Sequence, residues 1–163
     1  MSRFSSAIEA TPRGRKAPRA GLRATFAALA LSVLLGGCAS APSTRSGSLY
    51  ERLGGEAGIA AITEGMLARS ADDPRIRDDF AEADIVNLYT RLNEHLCALT
   101  GGPCAYTGRD MRAAHAGLGL TEADFNALVE NLVDAMTEQG VPIAAQNDLL
   151  AILAPMRGDV IRQ

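Results

Sequence analysis

From Ser48 onward, apolar residues recur at three- and four-residue spacing, and glycine and proline divide the pattern into short helical stretches. Ser48 is a candidate N-cap for a stub helix over Leu49 to Leu53, closed by Gly54-Gly55. A second helix, from about Glu56 to Ser70, presents Ile59, Ile62 or Thr63, Met66 and Leu67 on one face. Asp72-Asp73-Pro74 begins a short turn that ends at Phe80, and Asp84 is placed to cap a helix striped with Ile85, Leu88, Leu92, Leu96 and Leu99. Gly101-Gly102-Pro103 stops that helix, and Tyr106 and Gly108 hold a short non-helical crossing. Met111 and His115 then sit four apart on one helical face. Gly117 and Gly119 break the chain again. Thr121-Glu122-Ala123-Asp124 opens a helix with Phe125, Leu128, Val129, Leu132 and Met136 facing inward, closed by Gln139-Gly140 and Val141-Pro142. The last helix is expected from about Ala144 to Ile161, burying Leu149, Leu150, Ile152, Leu153, Met156 and Val160 and bending near Pro155. No alternating strand pattern and no internal repeat appears, so the expected domain, residues 49–163, is all-α.

The segment before Ser48 has a different character. A basic region ends at Arg23, an apolar run follows from about Ala24 to Leu35, and the run is too short for a full membrane span. Leu35-Gly36-Gly37-Cys38 looks like a bacterial lipoprotein box. That resemblance implies a signal peptide over residues 1–37, lipidation at Cys38, and a protein anchored to a membrane and facing the bacterial periplasm. Residues 38–48 are small and polar after the cysteine, which suits a flexible tether.

Charge changes once that segment is set aside. The 163-residue chain has a formal charge of -3 and is 47% hydrophobic, as suits one helical domain. The first 37 residues hold six of the sixteen basic groups and one of the nineteen acids, so the rest carries ten Arg against eighteen acids, or -8. Such a surface repels phosphate backbones and disfavours nucleic acid as a partner.

Few side chains are available for chemistry. The two histidines, His95 and His115, sit in no catalytic-triad or zinc motif, which argues against a hydrolase. Cys97 and Cys104 bracket the Gly-Gly-Pro turn with six residues between them. In an oxidising compartment they could form a disulfide across that turn, or remain two unpaired thiols. Zinc binding by the pair with His95 is disfavoured, because zinc sites use four ligands in tighter spacing.

Gly-Gly-Pro at 101–103, Tyr106-x-Gly108, Met111 and His115 followed by Gly117-Leu118 form an ordered set. With Leu49-Tyr50-Glu51-Arg52-Leu53-Gly54-Gly55, Phe80 and Thr121-x-x-x-Phe125, this set resembles the group 1 truncated haemoglobins, small two-on-two haem globins. The likeness runs from Leu49 to about Ile161. It implies haem b as cofactor and His115 as the proximal iron ligand; one axial imidazole is enough, because the porphyrin supplies four nitrogens. It also implies that Phe80 packs on haem, that Met111 lies against the proximal face, and that Leu88, Leu92 and Phe125 line the slot. Arg91, Tyr106, Arg109 and Arg112 become candidates for pairing with the haem propionates, since Arg presents a planar donor fork to carboxylates.

The chain departs from the family on the distal side. Many group 1 members place Tyr on the second helix and Gln or a similar residue on the distal helix. The matching positions here hold Leu67, Leu88 and Leu92, which predicts an apolar distal pocket. His95, one turn beyond Leu92, is expected to be packing or a pocket gate. The resemblance therefore implies reversible binding of oxygen, nitric oxide or carbon monoxide, with an unknown reductase as partner. It does not favour an enzyme: activities that rely on polar distal residues, including efficient nitric oxide oxidation, are in doubt. An alternative is a haem redox or gas-sensing module that passes electrons or a signal to a partner.

Overall fold

Three of the expected caps start their helices. The computed structural model describes residues 46–163, and the proposed signal segment, Cys38 and most of the tether lie outside the described residues. Ser48 opens α1 (Leu49–Arg52): its hydroxyl accepts from the Glu51 N–H at 3.2 Å, and Glu51 accepts from the Ser48 N–H at 2.9 Å. Asp84 caps α3 (Ile85–Leu99) through the Asn87 N–H at 3.0 Å. Thr121 and Asp124 close the same reciprocal box at the start of α5 (Glu122–Glu138). Between these lie α2 (Gly55–Asp72), a 3₁₀ turn (Arg77–Phe80) and α4 (Met111–His115), and α6 (Ile143–Leu153) follows α5. The described residues contain no strand, and none of their helices is long and apolar enough to cross a membrane.

The core forms where α2 packs against both α3 and α5. Ile59, Ile62, Met66, Leu132, Ala135 and Met136 are buried there, and Leu96 and Cys97 contribute from α3. Close approach of α2 and α5 depends on small residues. A Cβ added at Gly65 would lie 3.3 Å from the Ala135 Cβ, tighter than an ordinary contact. At the other end Leu49, Leu53 and Leu149 join α1, α2 and α6, and Arg52 pairs with Asp148 at 2.8 Å.

The far end of α2 is finished by polar side chains. Ser70 donates to the Met66 carbonyl at 2.8 Å, while the Asn131 amide donates to Ser70 at 3.4 Å and to Asp73 at 3.2 Å. Hydrogen bonds from the Arg75 side chain and backbone hold the Asp73 carboxyl well below the usual carboxylate range, and Arg75 also reaches Glu130.

Two expectations are corrected. The last helix is not one bent rod. α6 ends at Leu153 and the chain tightens into a 3₁₀ segment over Ala154–Asp159. Pro155 has no N–H to continue the α pattern, and its ring would collide with the Ala151 carbonyl, so the tighter i to i+3 pattern takes over. The α3 stripe is also not a core stripe. Ile85 is 46% exposed and Leu96 alone of the five is buried, because the middle of that face fronts a hollow. The other differences are small: α2 runs one residue earlier and two later than the periodicity indicates.

Candidate functional site

The hollow measures about 800 Å³ and lies between α3 and α4, with α2, α5 and the 3₁₀ turn closing its remaining walls. That size falls within the range of small-molecule and cofactor sites. Most of its wall is apolar. Leu67 comes from α2, Phe80 from the 3₁₀ turn, Leu88 and Leu92 from α3, and Phe125 and Leu128 from α5. Phe125 is also covered from outside by the Arg157 guanidinium, 6.0 Å from its ring centre.

α4 supplies Met111, Ala114 and His115 to the opposite wall. Asp110 caps this five-residue helix by accepting from the Ala113 N–H at 2.8 Å. The His115 Nδ1 lies 2.7 Å from the Met111 carbonyl oxygen. A carbonyl can only accept, so Nδ1 carries the hydrogen, and in the neutral ring Nε2 keeps a free lone pair. This is the tautomer in which an imidazole can ligate a metal through Nε2, with the other nitrogen oriented by a hydrogen bond.

Local sequence explains how the chain crosses from α3 to α4. Gly101 takes a left-handed φ of 84°, and a Cβ at Gly102 would come within 2.6 Å of both the Cys97 sulfur and the Tyr50 ring. Cys97 and Cys104 are at bonding distance, with S–S 1.96 Å and Cα–Cα 5.8 Å. Farther on, the Tyr106 ring lies against His95, with centroids 4.6 Å apart, and its hydroxyl donates to the Arg109 carbonyl at 2.6 Å. The ring folds so closely over Gly108 that a Cβ there would sit 2.3 Å from the phenol oxygen. The Tyr-x-Gly spacing is therefore a packing requirement.

The structure brings almost all the sequence-selected residues to this one cavity: Leu67, Phe80, Leu88, Leu92, Phe125, Met111 and His115 as above, with His95, Arg91, Tyr106 and Arg109 at the rim. Arg112 is the exception, and the expectation that it faces the cofactor edge is corrected. It is exposed, and its guanidinium is held by Asp159 at 2.7 Å and by Gln163 at 2.8 Å. Its position next to Met111 on a five-residue helix turns it toward the C-terminal segment.

Sequence reasoning missed a second, acidic rim made by Asp79, Glu82, Asp84 and Asp124. Burial and the nearby Asp124 and Asp78 push the Asp79 carboxyl up from its ordinary value. Also missed were Thr107 and its partner Glu94. The one available signal was Glu94 standing three residues after Arg91 on a helix, the spacing of an ion pair. Leu118 and Leu120 reach the cavity from the glycine break after α4, which has no helical pattern to reveal it, and Val160, expected as a buried residue of the last helix, reaches it from the end of the 3₁₀ segment.

Residues 48–162 match the family described as bacterial-like globin. The group 1 truncated haemoglobin of Tetrahymena pyriformis is 31% identical over 114 residues, covering 70% of this chain and 94% of that protein. That of Synechocystis sp. is 34% identical over 115 residues, covering 68% of this chain and 90% of the relative. Among solved structures, the T. pyriformis truncated haemoglobin in its Fe(III) form aligns with a TM-score of 0.69 and 30% identity over 72% of this chain and 100% of that one.

The half-buried His95 gives a pH prediction. Burial lowers its pKa below the ordinary 6.5, so the unfolded chain binds this proton at a higher pH than the folded one. Stability from the neutral ring is present above the unfolded pKa and lost as pH falls below it. NMR titration should place the His95 midpoint below 6.5, and His95→Phe should flatten the acid-side decline in denaturation midpoint. An unshifted midpoint would contradict the buried, stacked placement.

Proposed function

This chain belongs to the bacterial-like globin family, with the group 1 truncated haemoglobins as its relatives, and we propose that it binds haem b and, through it, a small diatomic gas reversibly. The observation that carries the proposal is His115, whose Nδ1 is engaged by the Met111 carbonyl while its Nε2 is free on the wall of an apolar cavity of about 800 Å³. The other wall residues fit the same group. Phe80, Phe125 and Met111 offer flat or polarisable apolar surface, and Arg91 and Arg109 stand at one rim where carboxylates would need cations.

Bound haem would supply an iron with a coordination position open to a gas ligand. The chain's own residues set how that ligand is held. His115 would ligate the iron through Nε2, and the carbonyl of Met111 would fix the ring's orientation. Leu67, Leu88 and Leu92 line the cavity with side chains that offer no hydrogen-bond donor. Oxygen gains more from a donor than carbon monoxide does, because it takes on more negative charge when bound. These leucines therefore favour fast oxygen release over tight retention.

We further propose that the globin domain is exported and tethered to the membrane through lipidated Cys38, facing the periplasm. Export supplies the oxidising surroundings in which the Cys97 and Cys104 sulfurs would remain bonded. In the loop-entropy model so short a closure stabilises the domain by roughly 2 to 3 kcal/mol.

The purified ferrous protein should show a haem absorption spectrum that shifts on addition of carbon monoxide. His115→Ala should lose haem or hold it loosely while keeping its far-UV helical signal. Normal haem retention and a normal ferrous spectrum in that variant would assign the iron ligand elsewhere. Stopped-flow measurement should find oxygen leaving the wild type about 10 to 100 times faster than a pocket with a strong donor would allow. Leu67→Tyr should slow that release and change carbon monoxide binding little; slow release already present in the wild type would mean that a donor reaches the ligand. Cys38→Ser should abolish retention on membranes, and the membrane-bound wild type, digested without reductant, should yield the Cys97 and Cys104 peptides linked. Unchanged detergent partitioning of Cys38→Ser would sink the anchor.

A further inference from the structure

Glu94 is the point at which α3 and the crossing to α4 are joined by charge. Its Oε2 accepts from Arg91 Nη1 at 2.6 Å, from the Thr107 hydroxyl at 3.0 Å and from the Thr107 backbone N–H at 3.2 Å. Arg91 Nη1 also donates to the Thr107 hydroxyl, so two side chains and one peptide N–H close on a single carboxylate oxygen and on each other. Glu94 is outside the cavity wall, whereas Arg91 and Thr107 both line it.

The arrangement leaves part of Arg91 unspent. Its Nε and Nη2 have no partner among the described residues, and the side chain is about two-thirds buried at 32% exposure. A free arginine at a cavity rim samples many rotamers, and ordering it on binding weakens whatever it binds. Arg109, the other cation on this rim, is held by no carboxylate and reaches only the Ala114 carbonyl at 3.5 Å. Arg91 alone is set in advance.

We propose that Glu94 is a positioning residue that clasps Arg91 and Thr107 across the crossing, so that the free donors of Arg91 meet a carboxylate of the cofactor at the cavity rim. The proposal rests on the haem reading above. It has a sign that simple scaffolding lacks. Glu94 is itself an anion near a site for anions, so it helps only while Arg91 lies between. The other charged or titratable groups near the clasp are Arg109, Asp110, Tyr106 and His95; Glu94→Gln leaves each of these side chains in place and removes one of the charges that push the Tyr106 hydroxyl up.

The test uses the full chain and measures haem loss to excess apomyoglobin. Glu94→Gln should lose iron protoporphyrin IX about tenfold faster than wild type, the scale of one charge-assisted hydrogen bond. Thr107→Val should move in the same direction. With the dimethyl ester of the same porphyrin, whose carboxylates are masked, Glu94→Gln and wild type should lose the group at equal rates. In an Arg91→Ala background, Glu94→Gln should cause no further acceleration and should slow the loss. Equal acceleration with the free acid and the ester would reduce Glu94 to scaffolding and overturn the proposal, as would unaltered loss of the natural haem. A wild-type chain that takes up no haem would remove the cofactor reading itself, a failure recognisable before any variant is made.

Discussion

A five-residue helix cannot hold an imidazole in place by itself, and the site depends on how α4 is held at its two ends. Isolated helices of this length do not persist in water, because nucleation costs more than so few hydrogen bonds return. The N-terminal side of α4 is closed by its own Asp110 cap, and the crossing before it is fixed to α3 by the Tyr106 ring on His95 and the Glu94 clasp on Thr107. The C-terminal side is fixed by the end of the chain: Arg112 binds Asp159 and Gln163, the Gly117 N–H donates to the Gln163 carbonyl at 3.2 Å, and the Arg162 N–H donates to Leu120 at 2.9 Å. His115 is thus positioned by contacts from segments far away in sequence.

The same arrangement leaves a hollow where a domain of this size would ordinarily place core. Packing is concentrated at the other end of the molecule, where α2 meets α3 and α5 and where Gly65 and Ala135 allow the backbones to approach. Leu88, Leu92, Phe125 and Leu128 are then only partly covered, and their remaining apolar surface faces the cavity. A cofactor with a flat apolar body would cover that surface and stabilise the fold by mass action, because the unfolded chain has no such wall. Stability and loading are therefore linked in this protein by construction of the core.

Charge follows the same division. Most arginines of the described residues are committed to acids on neighbouring elements, as with Arg52 and Asp148, Arg69 and Glu138, and Arg157 and Glu122. The more exposed of these pairs contribute little each to stability, but together the pairs leave few cations free on an acidic surface. Arg91 and Arg109 stand out by lining the cavity, which Asp79, Glu82 and Asp84 line as well.

The sequence by itself determined the helices and their order, because caps, glycine breaks and apolar spacing act within a few residues of one another: Ser48, Asp84 and Thr121 start helices where their spacing says they should. It also singled out His115, Phe80, Leu88, Leu92 and Tyr106, since the ordered motif keeps their spacing. It did not determine what a half-apolar face would meet. The α3 stripe reads the same whether it packs on protein or borders a cavity, and the difference lies in which helix approaches from elsewhere in the chain. Pro155 is legible as a break, but only the structure shows that the chain tightens there into a 3₁₀ segment and does not continue as a bent α-helix. The direction taken by Arg112 and the clasp of Glu94 on Thr107 were decided only in the tertiary structure. A long side chain's partner is chosen by which donors and carboxylates the fold brings within about 3 Å, and no local periodicity encodes that.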